Sequence, residues 1–387
     1  MSEWKKVKLG EISERITSGG TPKANISSYY DPPTIPWLKT KEVNYCRIRE
    51  TENYISEEGL NNSSAKLIAP NSVIIAMYGQ GDTAGRVAIN KIPLTTNQAC
   101  CNLTINKDKA DYEFIYYQLC TLYNKMVSLK AGAAQPNLNA QIIKNLEVLL
   151  PSLQDQHRIA TILSRYDSLI ENYQKQIKLL EEAAQRLYKE WFVDLHFPGH
   201  ENTKIVDGVP EGWTPSKLGQ LAEFKRGKTI TKKDAIEGDI PVVAGGLEPA
   251  YYCNKSNTAE RVITVSGSGA NAGFTRMYFE KVWASDCSFI DASTTPFLHF
   301  VYCYLKDNKT TIDNMQKGAA QPHVYAKDIN NLATCIPTES VLKSFEEKAS
   351  KYFGTISSLQ SQIRLLTEAR DRLLPKLMSR EIEFNYI

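Results

Sequence analysis

The sequence predicts an α+β chain built as a tandem repeat, in which each half is a globular part followed by a long amphipathic helix. Three observations predict this fold: the same motifs occur twice in the same order, both halves end in a heptad pattern, and the globular parts contain short apolar runs typical of strands. The chain has 387 residues, 42% of them hydrophobic and 23% charged. It is therefore long enough for more than one buried core, and its composition excludes a disordered or collagen-like protein.

The repeat rests on several ordered matches. Residues 132–136 (GAAQP) recur at 318–322, 186 residues later. The other matches, each with its second copy, are Trp4 with Leu9-Gly10 (Trp213 with Leu218-Gly219), Gly79-Gln80-Gly81 (Gly267-Ser268-Gly269), Ala84-Gly85 (Ala272-Gly273), Asn145-Leu146 (Asn331-Leu332), Pro151 (Pro337), and Ile177 with Leu179-Leu180 (Ile363 with Leu365-Leu366). The chain is thus a tandem duplication with a shortened second copy.

Each copy ends in residues spaced alternately by four and three, the seam of a coiled coil. These residues are Ile159, Leu163, Tyr166, Ile170, Tyr173, Ile177, Leu180, Ala184, Leu187 and Trp191, and then Phe345, Ala349, Tyr352, Ile356, Leu359, Ile363, Leu366, Arg370, Leu373 and Leu377. Only Arg370 interrupts the apolar seam. A helix of about 50 Å cannot bury such a seam alone, which favours an intramolecular two-helix coiled coil. The alternative is two helices that each pack on their own globular part.

Short apolar runs at 72–76 and 261–265 predict strands, and residues 111–129 and 296–306 predict helices. Residues 196–202 form a linker rich in helix breakers, and Gly354 and Pro375 are expected to bend or end the second helix. The chain thus divides into residues 1–150, 151–195, 196–337 and 338–387.

Strings that resemble catalytic motifs lack essential residues. The turn Tyr30–Thr34 resembles that of amino-methyltransferases, but Thr34 cannot stack on a base. Gly227-Lys228-Thr229 resembles the end of a P-loop, but Ala222 stands where that motif needs glycine. The cysteines form no CxxC pair, and Pro198 and Gly199 separate the one HxxxH pair. We therefore expect no catalytic residue, no metal site and no cofactor-binding residue.

The remaining features are typical of binding. Glycine loops follow predicted strands in both copies, so their backbone amides can approach a phosphate or a groove closely. Five cations fall within nine residues at 225–233, near amide side chains. That composition suits phosphate positioning combined with reading of base edges.

Two stretches resemble a known family. Residues 151–160 (PSLQDQHRIA) resemble the P-x-L-x-E-Q-x-x-I-A start of the conserved helix in the specificity subunit of type I restriction-modification enzymes. Residues 190–199 with 209–213 and Leu218-Gly219 resemble the central junction of the same subunits, and the match covers essentially the whole chain. Asp155 stands where the family usually has Glu, and the second copy lacks the Glu-Gln pair, so its helix is expected to contact partners differently.

The resemblance implies a DNA-binding subunit of a bacterial defence system. Residues 1–150 and 196–337 would hold target recognition domains, each reading one half of a bipartite, asymmetric sequence in double-stranded DNA. The helices of 151–195 and 338–387 would form an antiparallel coiled coil that separates the two domains, relates them by a pseudo-two-fold axis and sets the gap between half-sites. Two modification subunits would dock on it, bind S-adenosylmethionine and methylate adenine. Two motor-nuclease subunits can join and use ATP and magnesium.

The residues expected to contact DNA follow from loop chemistry and repeat position. They are Lys39, Lys41, Tyr78, Gly79, Gln80, Gly81, Arg86, Gln135 and Asn137 in the first copy, and Lys225, Arg226, Lys228, Lys232, Ser268, Asn271, Arg276, Gln321 and His323 in the second. The net charge is only +3, so we expect partner subunits to supply much of the phosphate affinity. No apolar run suggests a membrane span or a secretion signal, and a cytoplasmic location is expected.

Two other functions remain open at this point. A repeat scaffold that binds only proteins would fit the coiled coil, and the absence of steeply salt-dependent DNA binding by the assembled complex would favour it. A self-contained methyltransferase would require methyl-donor binding by the isolated chain, which we do not expect.

Overall fold

The computed structural model describes residues 4–130, 137–316 and 322–382. The chain forms two compact units. The first unit contains Met1–Glu171 and Arg364–Ile387, and the second contains Asn172–Ile363. Each unit therefore takes its residues from both copies of the repeat.

The first unit is built on a five-stranded sheet of order β2-β9-β6-β7-β4, a three-stranded sheet of order β5-β3-β8 and the pair β1-β10. The strands are β1 (Lys5–Lys8), β2 (Ser13–Ser18), β3 (Ile35–Leu38), β4 (Cys46–Ile48), β5 (Tyr54–Ile55), β6 (Val73–Ala76), β7 (Val87–Asn90), β8 (Thr95–Thr96), β9 (Cys100–Ile105) and β10 (Glu147–Leu150). The helices are α1 (Leu9–Ile12), α2 (Glu57–Asn61), α3 (Tyr112–Thr121), α4 (Tyr123–Ser128), α5 (Ala140–Lys144) and the first half of α6 (Leu153–Tyr188).

The second unit repeats this arrangement with sheets of order β14-β20-β17-β18 and β16-β15-β19 and the pairs β13-β21 and β11-β12. The strands are β11 (Ile205–Val206), β12 (Val209–Pro210), β13 (Thr214–Lys217), β14 (Lys225–Arg226), β15 (Ile240–Val243), β16 (Tyr251–Cys253), β17 (Val262–Ser266), β18 (Thr275–Tyr278), β19 (Trp283–Ala284), β20 (Cys287–Asp291) and β21 (Ala333–Ile336). The helices after α6 are α7 (Leu218–Leu221), α8 (Leu298–Asp307), α9 (Lys309–Asn314), α10 (Ala326–Asn330) and α11 (Glu339–Met378). The duplicated α+β fold is confirmed.

The local predictions agree with the structure in most places. The runs at 72–76 and 261–265 are the buried central strands β6 and β17. The helix predicted over 111–129 is split at Leu122 into α3 and α4, and the helix predicted over 296–306 is α8. Gly354 and Pro375 both lie inside α11, so neither residue ends that helix.

The two long helices pack antiparallel in the first unit. The start of α6 contributes Ile159 and Leu163 to the hydrophobic core, and the end of α11 contributes Leu373 and Leu377 to the same cluster. Strands β6 and β9 complete this core. A helix from each copy of the repeat is therefore needed to close it.

The second unit shows the opposite ends of the same helices. Ala184 and Tyr188 near the end of α6 pack with Phe345 and Ala349 near the start of α11. The chain continues from α6 into a π-helical turn, Lys189–Val193, whose Trp191 joins this core. The antiparallel pairing is thus present in each unit, and the predicted seam residues are all buried or half-buried. Packing of each helix only on its own globular part was wrong.

Arg370, the one charged residue of the seam, belongs to a buried ionic network in the first unit. Its Nη1 lies 2.6 Å from Asp167 Oδ1, and Arg47 Nη1 lies 3.1 Å from Asp167 Oδ2. Tyr117 donates its hydroxyl hydrogen to Asp167. Burial disfavours the charged Arg47 guanidinium, but interactions with Tyr117, Asp167 and Glu113 outweigh it and raise the pKa of Arg47. The network ties β4, α3, α6 and α11 together.

The second unit has two buried apolar residues at the equivalent helix positions. The 186-residue spacing relates Asp167 to Phe353 and Ala184 to Arg370. Phe353 is 2% exposed and Ala184 is fully buried, and both lie in the same core cluster. The ionic pair therefore distinguishes the helix ends of the first unit from those of the second.

Replacement of Asp167 is expected to destabilise the protein strongly, because it leaves Arg370 and Arg47 close together in a poorly hydrated site. Asp167→Ala should lower the free energy of unfolding by about 3 kcal/mol. Glu368→Ala, which removes an exposed ion pair with Arg372 on the same helix, should cost less than about 1 kcal/mol. Urea titrations followed by circular dichroism measure both values, and equal losses would contradict a structural role for the network.

Candidate functional site

A depression of about 200 Å³ lies in the second unit, where β14, β17 and β20 meet the segment before α10. Its lining residues are Arg226, Gly267, Asp286, Cys287, Ser288, His323, Val324, Tyr325 and Ala326. Two residues predicted to contact DNA, Arg226 and His323, thus line one concave surface although they are far apart in the sequence.

Backbone hydrogen bonds around Gly267 assemble this depression. Gly267 donates its N–H to the carbonyl of Asp286 (3.1 Å), and Val324 donates to the carbonyl of Gly267 (3.1 Å). Arg226 on β14 pairs with Ser288 on β20. A Cβ atom at Gly267 would lie 3.2 Å from the carbonyl oxygen of Asp286. These backbone bonds hold the three segments together at Gly267.

The side chains of the depression combine a cation, an anion and two rings. Ser268 donates its hydroxyl hydrogen to Asp286 Oδ2. The rings of His323 and Tyr325 are nearly parallel, with centroids 5.8 Å apart and an interplanar angle of 10°. Within the residues that the structure describes, no carboxylate forms an ion pair with the exposed Arg226. The site therefore offers a guanidinium donor beside a carboxylate acceptor.

Asp286 and Tyr325 were missed by the sequence interpretation. Asp286 directly precedes β20, and it reaches the depression only because β20 pairs with β17 and β14. Tyr325 lies two residues after His323 in the segment that hydrogen-bonds to Gly267. The strand pairing that collects these residues leaves no periodic signal in the sequence.

Two predicted arginines have partners within their own units. Arg86 donates to Asn44 Oδ1 (2.9 Å) and to Asp82 Oδ1 (2.5 Å), which closes the turn after Gly81. Arg276 donates to the carbonyl of Leu247 (2.7 Å) and pairs with Glu248, and its guanidinium lies 5.0 Å from the Tyr278 ring centroid. Contact with DNA by either arginine would have to replace or extend these bonds.

Two predicted lysines of the first unit also have neighbours. Lys39 Nζ donates to Asn53 Oδ1 (3.0 Å) and lies 4.9 Å from the Trp37 ring centroid. Lys41 forms an exposed ion pair with Glu52. The side-chain hydrogen bond to Glu52 and the coulombic attraction of the Glu52 carboxylate raise the pKa of Lys41. Such a surface pair is weak enough to be exchanged for a phosphate.

The other predicted residues occupy loops and a strand of their units. Asn271 donates to the carbonyl of Gly245 (3.4 Å). Tyr78 and Asn137 are half-buried. The exposed residues of this group are Gly79, Gln80, Gly81, Lys225, Lys228 and Lys232. Gln135 and Gln321 lie outside the described residues. All eighteen assignments stay predictions.

The first unit builds the same backbone framework with different side chains. Met77 donates to the carbonyl of Ala99 (2.7 Å), Leu138 donates to the carbonyl of Met77 (3.0 Å), and Ser18 pairs with Cys101. These bonds define equivalent positions in the two units. Ser18 is equivalent to Arg226 and Met77 to Gly267. Likewise, Ala99 is equivalent to Asp286 and Asn137 to His323. The equivalent positions thus carry no charge in the first unit.

This framework corrects one detail of the repeat. The sequence match places Gly79 opposite Gly267, whereas the hydrogen bonds place Met77 there. Gly85 and Gly273 do correspond, since both have positive φ angles (96° and 85°) and donate to equivalent β-strand residues. The loop between these points is two residues longer in the first unit, and this insertion shifted the sequence match.

No group of three His, Cys, Asp or Glu side chains is placed to hold a metal ion in residues 4–130, 137–316 and 322–382. Burial raises the pKa of the Cys287 thiol in the depression to about 12, so that thiol is protonated at neutral pH. None of the helices in these ranges combines the length and apolarity needed to cross a membrane.

Comparison with known proteins gives a consistent result. The sequence model of the family described as "Type I restriction modification DNA specificity domain" matches residues 1–182 and 210–344. The chain is 29% identical to the type I restriction enzyme MjaIX specificity subunit of Methanocaldococcus jannaschii, over 98% of this chain and 94% of that protein. It is 28% identical to a putative type I specificity subunit of Mycoplasma pneumoniae, over 77% of this chain and 80% of the relative.

The fold also resembles a solved structure. The crystal structure of a type I restriction-modification S subunit from M. genitalium matches with a TM-score of 0.60 and 18% identity, over 97% of this chain and 96% of that chain. The similarity supports the α+β repeat described above.

The Cys287 thiol is expected to be unreactive in the folded chain, because its side chain is 3% exposed and burial raises its pKa. Iodoacetamide at neutral pH should leave Cys287 unmodified, whereas all eight cysteines should react in denaturant. Peptide mass spectrometry measures the modification. Complete labelling of Cys287 in the folded protein would contradict this description of the depression.

Proposed function

This chain belongs to the family of type I restriction-modification DNA specificity proteins, and we propose that it is a non-catalytic subunit that reads a bipartite, asymmetric DNA target. Residues 1–150 and 196–337 each read one half-site. One observation carries the proposal: a single backbone framework occurs twice, with Arg226 and Asp286 in one copy where the other has Ser18 and Ala99. Equivalent loops with different side chains suit the reading of two different half-sites.

The predicted contact residues divide by chemistry. Exposed lysines such as Lys225, Lys228 and Lys232 suit phosphate oxygens, which position a protein without reading sequence. Side chains with paired donors or acceptors, such as Gln80 and Asn271, suit base edges in the major groove. With a net charge of +3, the chain alone binds duplex DNA weakly, and its partners supply most of the phosphate contacts.

The paired helices act as the spacer between half-sites. Helix α6 has 36 residues and α11 has 40. At about 1.5 Å per residue each exceeds the roughly 34 Å of one DNA turn. Helix length therefore sets the number of unread base pairs.

Two modification subunits dock on the same helices and supply the chemistry. They bind S-adenosylmethionine and methylate adenine, and two motor-nuclease subunits that use ATP and magnesium can join them. Two identical partners need two equivalent surfaces. Leu179 and Leu365, which the repeat relates, are 53% and 59% exposed on α6 and α11 and offer such a pair of apolar contacts. The complex acts in the cytoplasm.

Exchange of residues 1–150 for the corresponding part of another family member should change one half of the methylated motif. The reason is that each globular part is expected to read its own half-site. Methylome sequencing of a host that carries this subunit and its modification partner measures the motif. The unaltered subunit should give a bipartite adenine-methylated motif.

A change in both halves of that motif, or in neither half, would contradict separate reading by the two parts. Absence of any motif with the unaltered subunit, in a complex that assembles, would contradict DNA recognition itself.

Replacement of the exposed leucines should weaken docking of the modification subunits. Leu179→Asp combined with Leu365→Asp places a charge in each apolar contact, and we expect at least about a tenfold loss of affinity. Val206→Asp is the control, because Val206 is 63% exposed but lies outside the helices. Isothermal titration with purified modification subunit measures the affinity, and unchanged binding by the double variant would exclude these leucines from the interface.

A further inference from the structure

We propose that Arg226 and Asp286 together read one G·C base pair in the half-site assigned to residues 196–337. The inference rests on the proposed function and adds the chemical identity of one recognised base pair. It concerns the depression of the second unit, where both residues line the same concave surface.

The strand pairing brings the two side chains to one place. Arg226 pairs with Ser288 on β20, and Asp286 precedes β20 by one residue. Asp286 Oδ2 accepts the hydroxyl hydrogen of Ser268, which fixes the orientation of the carboxylate. Its Oδ1 lies over Gly267, 3.3 Å from the position that a Cβ would occupy there. An oriented acceptor and a neighbouring donor therefore face the same open volume.

This pair of charges favours a base edge over a phosphate. A phosphate beside Arg226 would also approach the Asp286 carboxylate, and like charges repel. A G·C pair presents the O6 and N7 acceptors of guanine next to the N4 donor of cytosine in the major groove. Arginine binds the first two atoms with its forked donors, and aspartate accepts a hydrogen bond from the third. Both charges are then matched by a single base pair.

The other arginines predicted to contact DNA are less available for such a contact. Arg86 pairs with Asp82, and Arg276 pairs with Glu248 and the Leu247 carbonyl. In the ranges that the structure describes, Arg226 forms no ion pair. The stacked His323 and Tyr325 rings line the same depression beside it.

The first unit lacks the side chains that this G·C contact requires. Ser18 and Ala99 occupy the equivalent positions, so that unit lacks both the fork and the carboxylate. A G·C pair read in this way should therefore occur in one half of the motif only.

The test uses the complete complex with its modification subunits and compares the methylomes of four variants with that of the unaltered subunit. Arg226→Ala and Asp286→Ala remove the two partners. Arg226→Lys keeps the charge but loses the forked geometry that a guanine edge needs. Lys281→Ala removes an exposed cation of the same unit that neither lines the depression nor belongs to the predicted DNA contacts, and it serves as the matched control. Equal co-purification with the modification subunits shows that a variant folds and assembles.

The expected result is that Arg226→Ala, Arg226→Lys and Asp286→Ala all reduce discrimination at one and the same G·C position by about tenfold or more. Lys281→Ala should leave the motif unchanged. Recovery of full discrimination by Arg226→Lys would assign Arg226 to a phosphate and overturn the proposal. So would an unchanged motif in the Arg226→Ala variant, or relaxation at an A·T position. A bipartite motif in the unaltered complex keeps the proposed function separate from these outcomes.

Discussion

The structure depends on the antiparallel pairing of two helices that come from opposite halves of the chain. In the first unit the start of α6 packs on the end of α11, and in the second unit the end of α6 packs on the start of α11. Neither core is complete without a helix from the other copy of the repeat. The seam is apolar apart from Arg370, whose charge is balanced by Asp167. An unpaired charge in this seam would lower the stability of the fold. The Arg370–Asp167 ion pair therefore favours the observed helix register over one that places Arg370 against an apolar side chain.

This pairing leaves the sheets and loops of each unit free to differ in sequence. The hydrogen bonds that hold Gly267 to Asp286 and Val324 recur as those that hold Met77 to Ala99 and Leu138. The backbone is thus constant while the side chains at its rim change from charged to uncharged. Such an arrangement suits a protein that presents two different reading surfaces on one framework, and it requires no catalytic group in either. Under the proposed function, the chemistry belongs to the modification subunits.

The features that follow a period along the chain could be predicted from the sequence. The heptad seam located both long helices, the repeated motifs gave the duplication, and short apolar runs located β6 and β17. What could not be predicted depends on residues brought together by strand pairing. Arg47 meets Asp167 only through packing of β4 on α6, and Asp286 meets Arg226 only through the β14-β20 ladder. The two-residue insertion before Gly85 was hidden because glycines on both sides of it resemble those near Gly273.

The proposed function requires this one chain to read two separate DNA half-sites. The most direct measurement is the affinity of the assembled complex for four duplexes at one salt concentration: the intact target, each half altered alone, and both halves altered. If both half-sites are read, each single alteration weakens binding by a comparable factor, and the double alteration reduces binding to the level of unrelated DNA. Equal affinity for all four duplexes, or a loss confined to one half, would contradict it.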